Sequence, residues 1–189
     1  MLMLVAGVIL VLVPHSISIV APHWRDRMVL LVGEAHWKGV YSVLVGAGFA
    51  LVVLGFIGAQ RAPVVLYLSP AWMRYLAFVL MLPVFPLLFA TYLPGRILAR
   101  IRHPMLTAVL LWSAAHLFVN GTLPGVLLFA CFLLWATIDR LSLGRRVPAP
   151  IRRAPPRRYN DLLAVVLGLA LYVSFIWRLH AWIIGVPLL

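Results

Sequence analysis

Several runs of apolar residues in this chain approach or exceed the ~20 residues that a helix needs to cross the hydrocarbon core of a bilayer. Backbone groups in lipid must find their hydrogen bonds within the chain, which restricts such runs to helices or closed barrels. Composition agrees with the runs: of 189 residues, 65% are hydrophobic and only 11% charged, and mean hydropathy is +1.07. Soluble domains are seldom so apolar. The chain is therefore expected to be an all-α, polytopic membrane helical bundle occupying residues 1–189 as one domain. The opening "MLMLVAGVILVLV" has no basic n-region and no small-residue cleavage site after it, so it reads as a retained first span.

About six transmembrane helices are expected, over residues 2–21, 37–59, 72–93, 104–120, 122–139 and 161–186. Pro83 and Pro86 predict a kink in the third. "NGTLPG" after the fourth is a tight turn that makes the fourth and fifth an antiparallel hairpin. Basic residues concentrate in alternate loops. Arg25, Arg27 and Lys38 follow span one; Arg96, Arg100 and Arg102 follow span three. The loop after span five holds Arg140, Arg145, Arg146, Arg152, Arg153, Arg157 and Arg158. By the positive-inside rule these loops are cytoplasmic and both termini lie on the non-cytoplasmic side. The net charge of +12 thus points to topology and anionic lipid headgroups, not to nucleic acid. The basic, proline-rich stretch 140–160 reads as an extended, solvated connector. The two halves share no motif, so no internal repeat is expected.

Ionisable residues within spans are costly and are functional candidates by default. Here they are His15, His116, Arg178 and His180, with His103 at the mouth of span four. His15 stands roughly 9 Å from the cytoplasmic end of span one at 1.5 Å per residue. His103 and His116 are roughly 20 Å and about 220° apart on one helix, so they do not share a ligand. Trp112, His116 and Asn120 recur at i, i+4 and i+8 and share a face. Asn120 or a neighbouring carbonyl can fix the tautomer of His116 for a metal or haem iron, or these polar groups simply join helices. Arg102, His103 and Pro104 form a cationic mouth at a helix start, suited to a headgroup, a propionate or a phosphate, or to a plain basic flank. Arg178 and His180, near Trp177 and Trp182, are accounted for by interfacial snorkelling. The lone Cys131 reads as a packing residue. The four acids, Asp26, Glu34, Asp139 and Asp161, all lie near span ends and form no buried pair. There is no nucleophile elbow, Walker loop or dinucleotide fingerprint.

Five stretches carry a family resemblance. "PHSISIVAPHWRDR" (14–27), "GEAHWKGVYS" (33–42), "RHPMLTAVLLWSAAHLFVNG" (102–121), "DRLSL" (139–143) and "RLHAWIIGV" (178–186) are similar, in this order, to the NnrU family of bacterial membrane proteins. That resemblance implies a multi-pass protein of the bacterial inner membrane with a link to denitrification. The family is related to 15-cis-zeta-carotene isomerase, a haem b membrane enzyme whose two essential histidines match His15 and His116. The resemblance therefore implies haem b with His15 and His116 as axial ligands, and with Arg102, His103, Trp112 and Asn120 around the cofactor or its mouth. It implies a redox, ligand-switching or polyene-isomerase-like role on a lipophilic small molecule. The isomerase's W-C-x-A-H motif is here Trp112-Ser113-Ala114-Ala115-His116, so its cysteine is missing. Two other readings stand beside this one. One is a non-enzymatic membrane factor for assembly or expression of nitrite and nitric oxide reductases. The other, from a looser likeness to isoprenylcysteine-type methyltransferases, is S-adenosylmethionine chemistry at the R-H-P motif.

Overall fold

The computed structural model describes residues 1–146 and 151–188. Its regular structure is helical; among these residues the one β feature is an isolated antiparallel bridge between Val65 and Thr122. Part of the proline-rich connector, residues 147–150, lies outside the described residues. The chain divides into two compact units, residues 1–64 and 65–189.

The first unit holds α1 (Leu2–Val20), α2 (Pro22–Val32) and α3 (Glu34–Ala59). Contacts between α1 and α3 run in opposite directions along the two helices. A Cβ on Gly55 would strike the backbone nitrogen of Leu4, and one on Gly7 would lie 2.6 Å from that of Val52. A Cβ on Gly48 would lie 2.9 Å from the Cβ of Leu10. Lipid supplies little hydrophobic drive between helices, so close backbone approach at small residues is what holds such a pair. Leu4, Val8, Val11, Val52 and Phe56 are buried along the same seam. The short α2 buries none of its residues. It starts at Pro22, where a missing N–H costs nothing, and ends at Gly33, whose φ of 85° suits glycine.

The second unit contains α4 (Met73–Met81), α5 (Val84–Tyr92), α6 (Arg96–Ile101), α7 (Pro104–Val119) and α8 (Leu123–Ser142). It closes with α9 (Asn160–Ser174), a π-helical turn (Phe175–Leu179) and α10 (His180–Ile184). The predicted proline kink is a break between α4 and α5, as Pro83 has no N–H to give the helix. Val84 and Leu87 of α5 and Ala108 of α7 form a buried core, flanked by Met81, Ile101 and Trp112. The α5–α9 crossing is tight, for a Cβ on Gly168 would strike the backbone of Pro86. Asp161, in the first turn of α9, accepts hydrogen bonds from the backbone N–H of Arg96 (2.8 Å) and Ile97 (3.1 Å). Its carboxylate thereby caps α6 from 65 residues away in sequence, and lies where a Cβ of Gly95 would be. The expected extended, exposed connector is found over residues 151–157, whereas residues 140–142 continue α8 and Asn160 is buried; the stretch is also tied to the end of α5. Ala154 N–H donates to Tyr92 O (2.9 Å), and Asn160 Nδ2 donates to Pro94 O (2.9 Å).

Five segments are long and apolar enough to cross a membrane: Leu2–Val20, Glu34–Ala59, Met73–Tyr92, Leu123–Ser142 and Asn160–Ile184. At 16 residues α7 is shorter, about 24 Å at 1.5 Å per residue against a ~30 Å hydrocarbon core. Helices α2 and α6 occupy stretches that hydropathy assigns to loops.

Candidate functional site around His116

Residues 120–122 join α7 to α8, so the two helices form the expected hairpin. Side chains on the facing sides of the two helices then meet. Phe129 of α8 stacks on the His116 ring at 4.5 Å and 27°. Trp112 packs edge-on to both Phe129 (5.0 Å) and Phe132 (5.4 Å), and lies 5.3 Å from the His116 ring. The imidazole thus sits within an aromatic cluster drawn from two helices.

His116 Nδ1 is 2.8 Å from the carbonyl of Trp112. A carbonyl only accepts, so Nδ1 carries the proton and Nε2 of the neutral ring carries the lone pair. Asn120 does not serve the ring. Its side-chain amide donates to the backbone carbonyl of His116 (3.0 Å); of the two groups expected to fix the tautomer, the neighbouring carbonyl does so. Asn120 instead ends the helix, with its own N–H on the same carbonyl (2.8 Å).

The end of α7 is also clasped from outside. The Tyr67 hydroxyl donates to Leu117 O and is 3.2 Å from Asn120 O. Leu66 N–H and Tyr67 N–H donate to Gly121 O at 2.7 and 3.2 Å. Gly121 leaves no room for a Cβ against Tyr67 O. Two carbonyls at the end of the helix that carries His116, Leu117 O and Gly121 O, are therefore satisfied by one segment.

Arg102 and His103 sit at the opposite end of α7. Arg102 has φ 62° and ψ −45°, and His103 N–H donates to Ile101 O at 2.7 Å. This is a γ-turn of the positive-φ kind, a strained conformation for a residue with a side chain. His103 is the N-cap of α7, and its carbonyl accepts from Thr107 N–H (3.1 Å) and Thr107 Oγ1 (3.2 Å). Burial holds its pKa below the usual 6.5, helped by the positive charge of Arg140, Arg102 and Arg146 and opposed by Asp139. Asp139 itself is engaged with Arg146 and Ser142.

His15 belongs to the first unit. Its Nδ1 is 2.7 Å from Val11 O, which fixes the same tautomer as in His116, and its ring lies 5.2 Å from that of Tyr41. Of the residues singled out in the sequence, His116, Trp112 and Asn120 come together at one end of α7, and Arg102 and His103 at the other. Phe129, Phe132 and Tyr67 were not singled out. The hairpin at the "NGTLPG" turn is a signal for the two phenylalanines; the clasp by Tyr67 has none. Among the described residues no three of His, Cys, Asp or Glu gather as a metal cluster.

Apolar spans and an imidazole set among aromatic rings within one of their hairpins define a multi-pass helical membrane protein with an internal histidine site. The chain matches the family model described as NnrU protein over residues 3–188, nearly its whole length. It belongs to the NnrU family. No curated protein and no solved structure matches it.

Proposed function

We propose that this protein binds haem b within the membrane through His116, and that it serves a redox, ligand-switching or polyene-isomerase-like role linked to denitrification. One observation carries the reading: His116 is fixed by the Trp112 carbonyl as the tautomer whose Nε2 lone pair is available for iron. Phe129 and Trp112 pack against the imidazole and give it the apolar surroundings that suit a neutral ring. A haem needs only axial ligands from the protein, so one or two histidines suffice where a zinc site would require three or four. The family resemblance nominates His15, whose Nδ1 bonds to Val11 O, as a second histidine that would hold the haem. Haem would supply redox or Lewis-acid chemistry at an iron held by these side chains.

The chain's own groups have distinct tasks in this reading. Trp112 and Phe129 exclude water and orient the ring. Asn120 and Tyr67 hold the helix end that carries it. Arg102 and His103, about 20 Å of helix away, form the basic mouth where anionic headgroups meet the protein. In this reading the chain crosses the bacterial inner membrane six times, α7 being the short crossing, with both termini outside and the basic loops in the cytoplasm.

The test is the visible spectrum of detergent-purified protein made with ample haem supply. A bis-imidazole Soret pattern in the wild type, lost in His116→Ala, supports the reading. A colourless wild type overturns it. That result would favour the other reading of the sequence, a non-enzymatic membrane factor for assembly or expression of nitrite and nitric oxide reductases.

A further inference from the structure

Between Arg61 and Arg74 the chain carries no charged residue, and span counting leaves this stretch as a loop on the side away from the basic loops. Its side chains do not suit a loop in water. Leu68 is 87% exposed, and Val65, Leu66 and Trp72 are each more than half exposed. None of the four lies in a helix. A contiguous exposed apolar stretch of this kind marks a contact surface, and the bonds that the stretch makes fix where in the second unit that surface lies.

Those bonds go to the turn of the α7–α8 hairpin. The Tyr67 hydroxyl donates to Leu117 O, Leu66 and Tyr67 N–H donate to Gly121 O, and Val65 pairs with Thr122. The stretch therefore lies at the depth of that turn, and helix length gives the depth. Arg102 and Arg140 stand at the other end of the hairpin, before α7 and in the last turn of α8. From Pro104, the 16 residues of α7 reach about 24 Å. From Arg140 back to Leu123, α8 reaches about 27 Å. Both fall short of a ~30 Å hydrocarbon core, and tilt shortens the reach further. The turn thus ends inside the hydrocarbon boundary, where backbone groups have no water to bond. Its polar groups are served from within the protein. Asn120 Nδ2 donates to His116 O (3.0 Å), Thr122 Oγ1 accepts from Gly125 N–H (3.4 Å), and Gly121 O takes the two N–H groups already named.

We propose that residues 65–68 form a strap embedded in the leaflet away from the basic loops, with Leu66 and Leu68 among the lipid acyl chains and Tyr67 closing the end of the hairpin. The partner is the hydrocarbon of that leaflet. Backbone N–H groups and the Tyr67 hydroxyl satisfy a polar turn that α7 is too short to carry into water, and the side chains on either side of Tyr67 give lipid the apolar surface that the turn lacks. Trp72 and Tyr75, both exposed, flank Arg74 at the start of α4, where the chain regains the interface that such aromatic rings prefer. The inference is independent of haem; it rests on the reading that the α7–α8 hairpin crosses the membrane.

The experiment uses the full-length protein with Cys131→Ala, which removes its one thiol, in phosphatidylcholine vesicles. A spin label is attached at Leu68→Cys. Electron paramagnetic resonance saturation then compares its collisions with oxygen, which concentrates in hydrocarbon, and with a water-soluble nickel chelate. Labels at Leu134→Cys, exposed within α8, and at Arg145→Cys, exposed in the basic loop, give the lipid and water references. The Leu68 label is expected to show an oxygen-to-nickel ratio close to that at Leu134 and several-fold above that at Arg145. A second label at Leu66→Cys must give the same result for the inference to stand. A Leu68 ratio like that at Arg145 puts the strap in water and overturns the inference, while a Leu134 label in lipid leaves the crossing standing. A Leu68 label that neither reagent reaches is covered by protein, which overturns the inference as well. A Leu134 label freely reached by nickel overturns the crossing, and the inference with it.

Discussion

The α1–α3 pair and the α7–α8 pair are both antiparallel helix contacts in an apolar chain, and they are filled in opposite ways. Gly7, Gly48 and Gly55 bring the first two backbones so close that no Cβ fits. Trp112, His116, Phe129 and Phe132 hold the second two apart with rings. Close backbone contact gains dispersion energy and leaves no volume for another group. Ring-filled contact costs closeness, but it encloses a polar ring in a setting where its hydrogen bonds and orientation are fixed. In lipid, where burial in a partner helix gains little over burial in acyl chains, the volume at a helix contact separates scaffold from site.

The largest effect is expected at the glycine seam. Gly55→Val should destabilise the protein by about 3 kcal/mol, since the clash is with the backbone of Leu4 and nothing flexible can give way. Thermal unfolding in detergent checks this, and a wild-type transition would mean that the seam has room to spare. Tyr67→Phe removes the hydroxyl that serves the end of α7 and should cost about 1–2 kcal/mol. The loss should be accompanied by faster hydrogen exchange at the last turn of α7, with α1 and α3 unchanged. Phe129→Leu keeps the apolar character and loses the ring stack, worth about 1 kcal/mol. Its signature is a shift in the His116 ring resonances without loss of fold.

The smallest effect concerns His103. Its folded-state pKa is lowered, so the unfolded chain binds the proton more readily. Stability should therefore be full above about pH 6.5, the unfolded value, and fall as pH drops below it. His103→Gln should flatten that dependence, as followed by melting temperature between about pH 7.5 and 5, a range that brackets the unfolded value.

Five of the six expected spans were legible as helices long and apolar enough to cross a membrane, because bilayer thickness sets a length that hydropathy can count. Residues 34–36 and 140–142 extend their helices beyond the apolar runs, since Glu34 and Arg140 prolong a helix into the interface without changing its hydrogen bonds. Helices α2 and α6 were not legible: 11 and 6 residues long, they are too short to form alone and depend on their neighbours. The shared face of Trp112 and His116 came from helical periodicity. The tautomer of His116 was narrowed to two partners, and only coordinates separate Trp112 O from Asn120. The π-turn before His180 was beyond sequence reasoning, because no residue pattern in "SFIWRLH" marks where a helix gains a residue.

The carboxylate of Asp161 has a consequence for the order in which the chain assembles. During synthesis, Arg96 and Ile97 emerge 65 and 64 residues before the acid that receives their N–H groups. A six-residue helix has too few internal bonds to persist alone, so α6 waits for the last span. Once α9 threads into place, its first turn closes the earlier loop, and Gly95 leaves the space for it to do so. The cap thus forms only after residue 161 has been made, and until then the N–H groups of Arg96 and Ile97 lack the carboxylate that receives them.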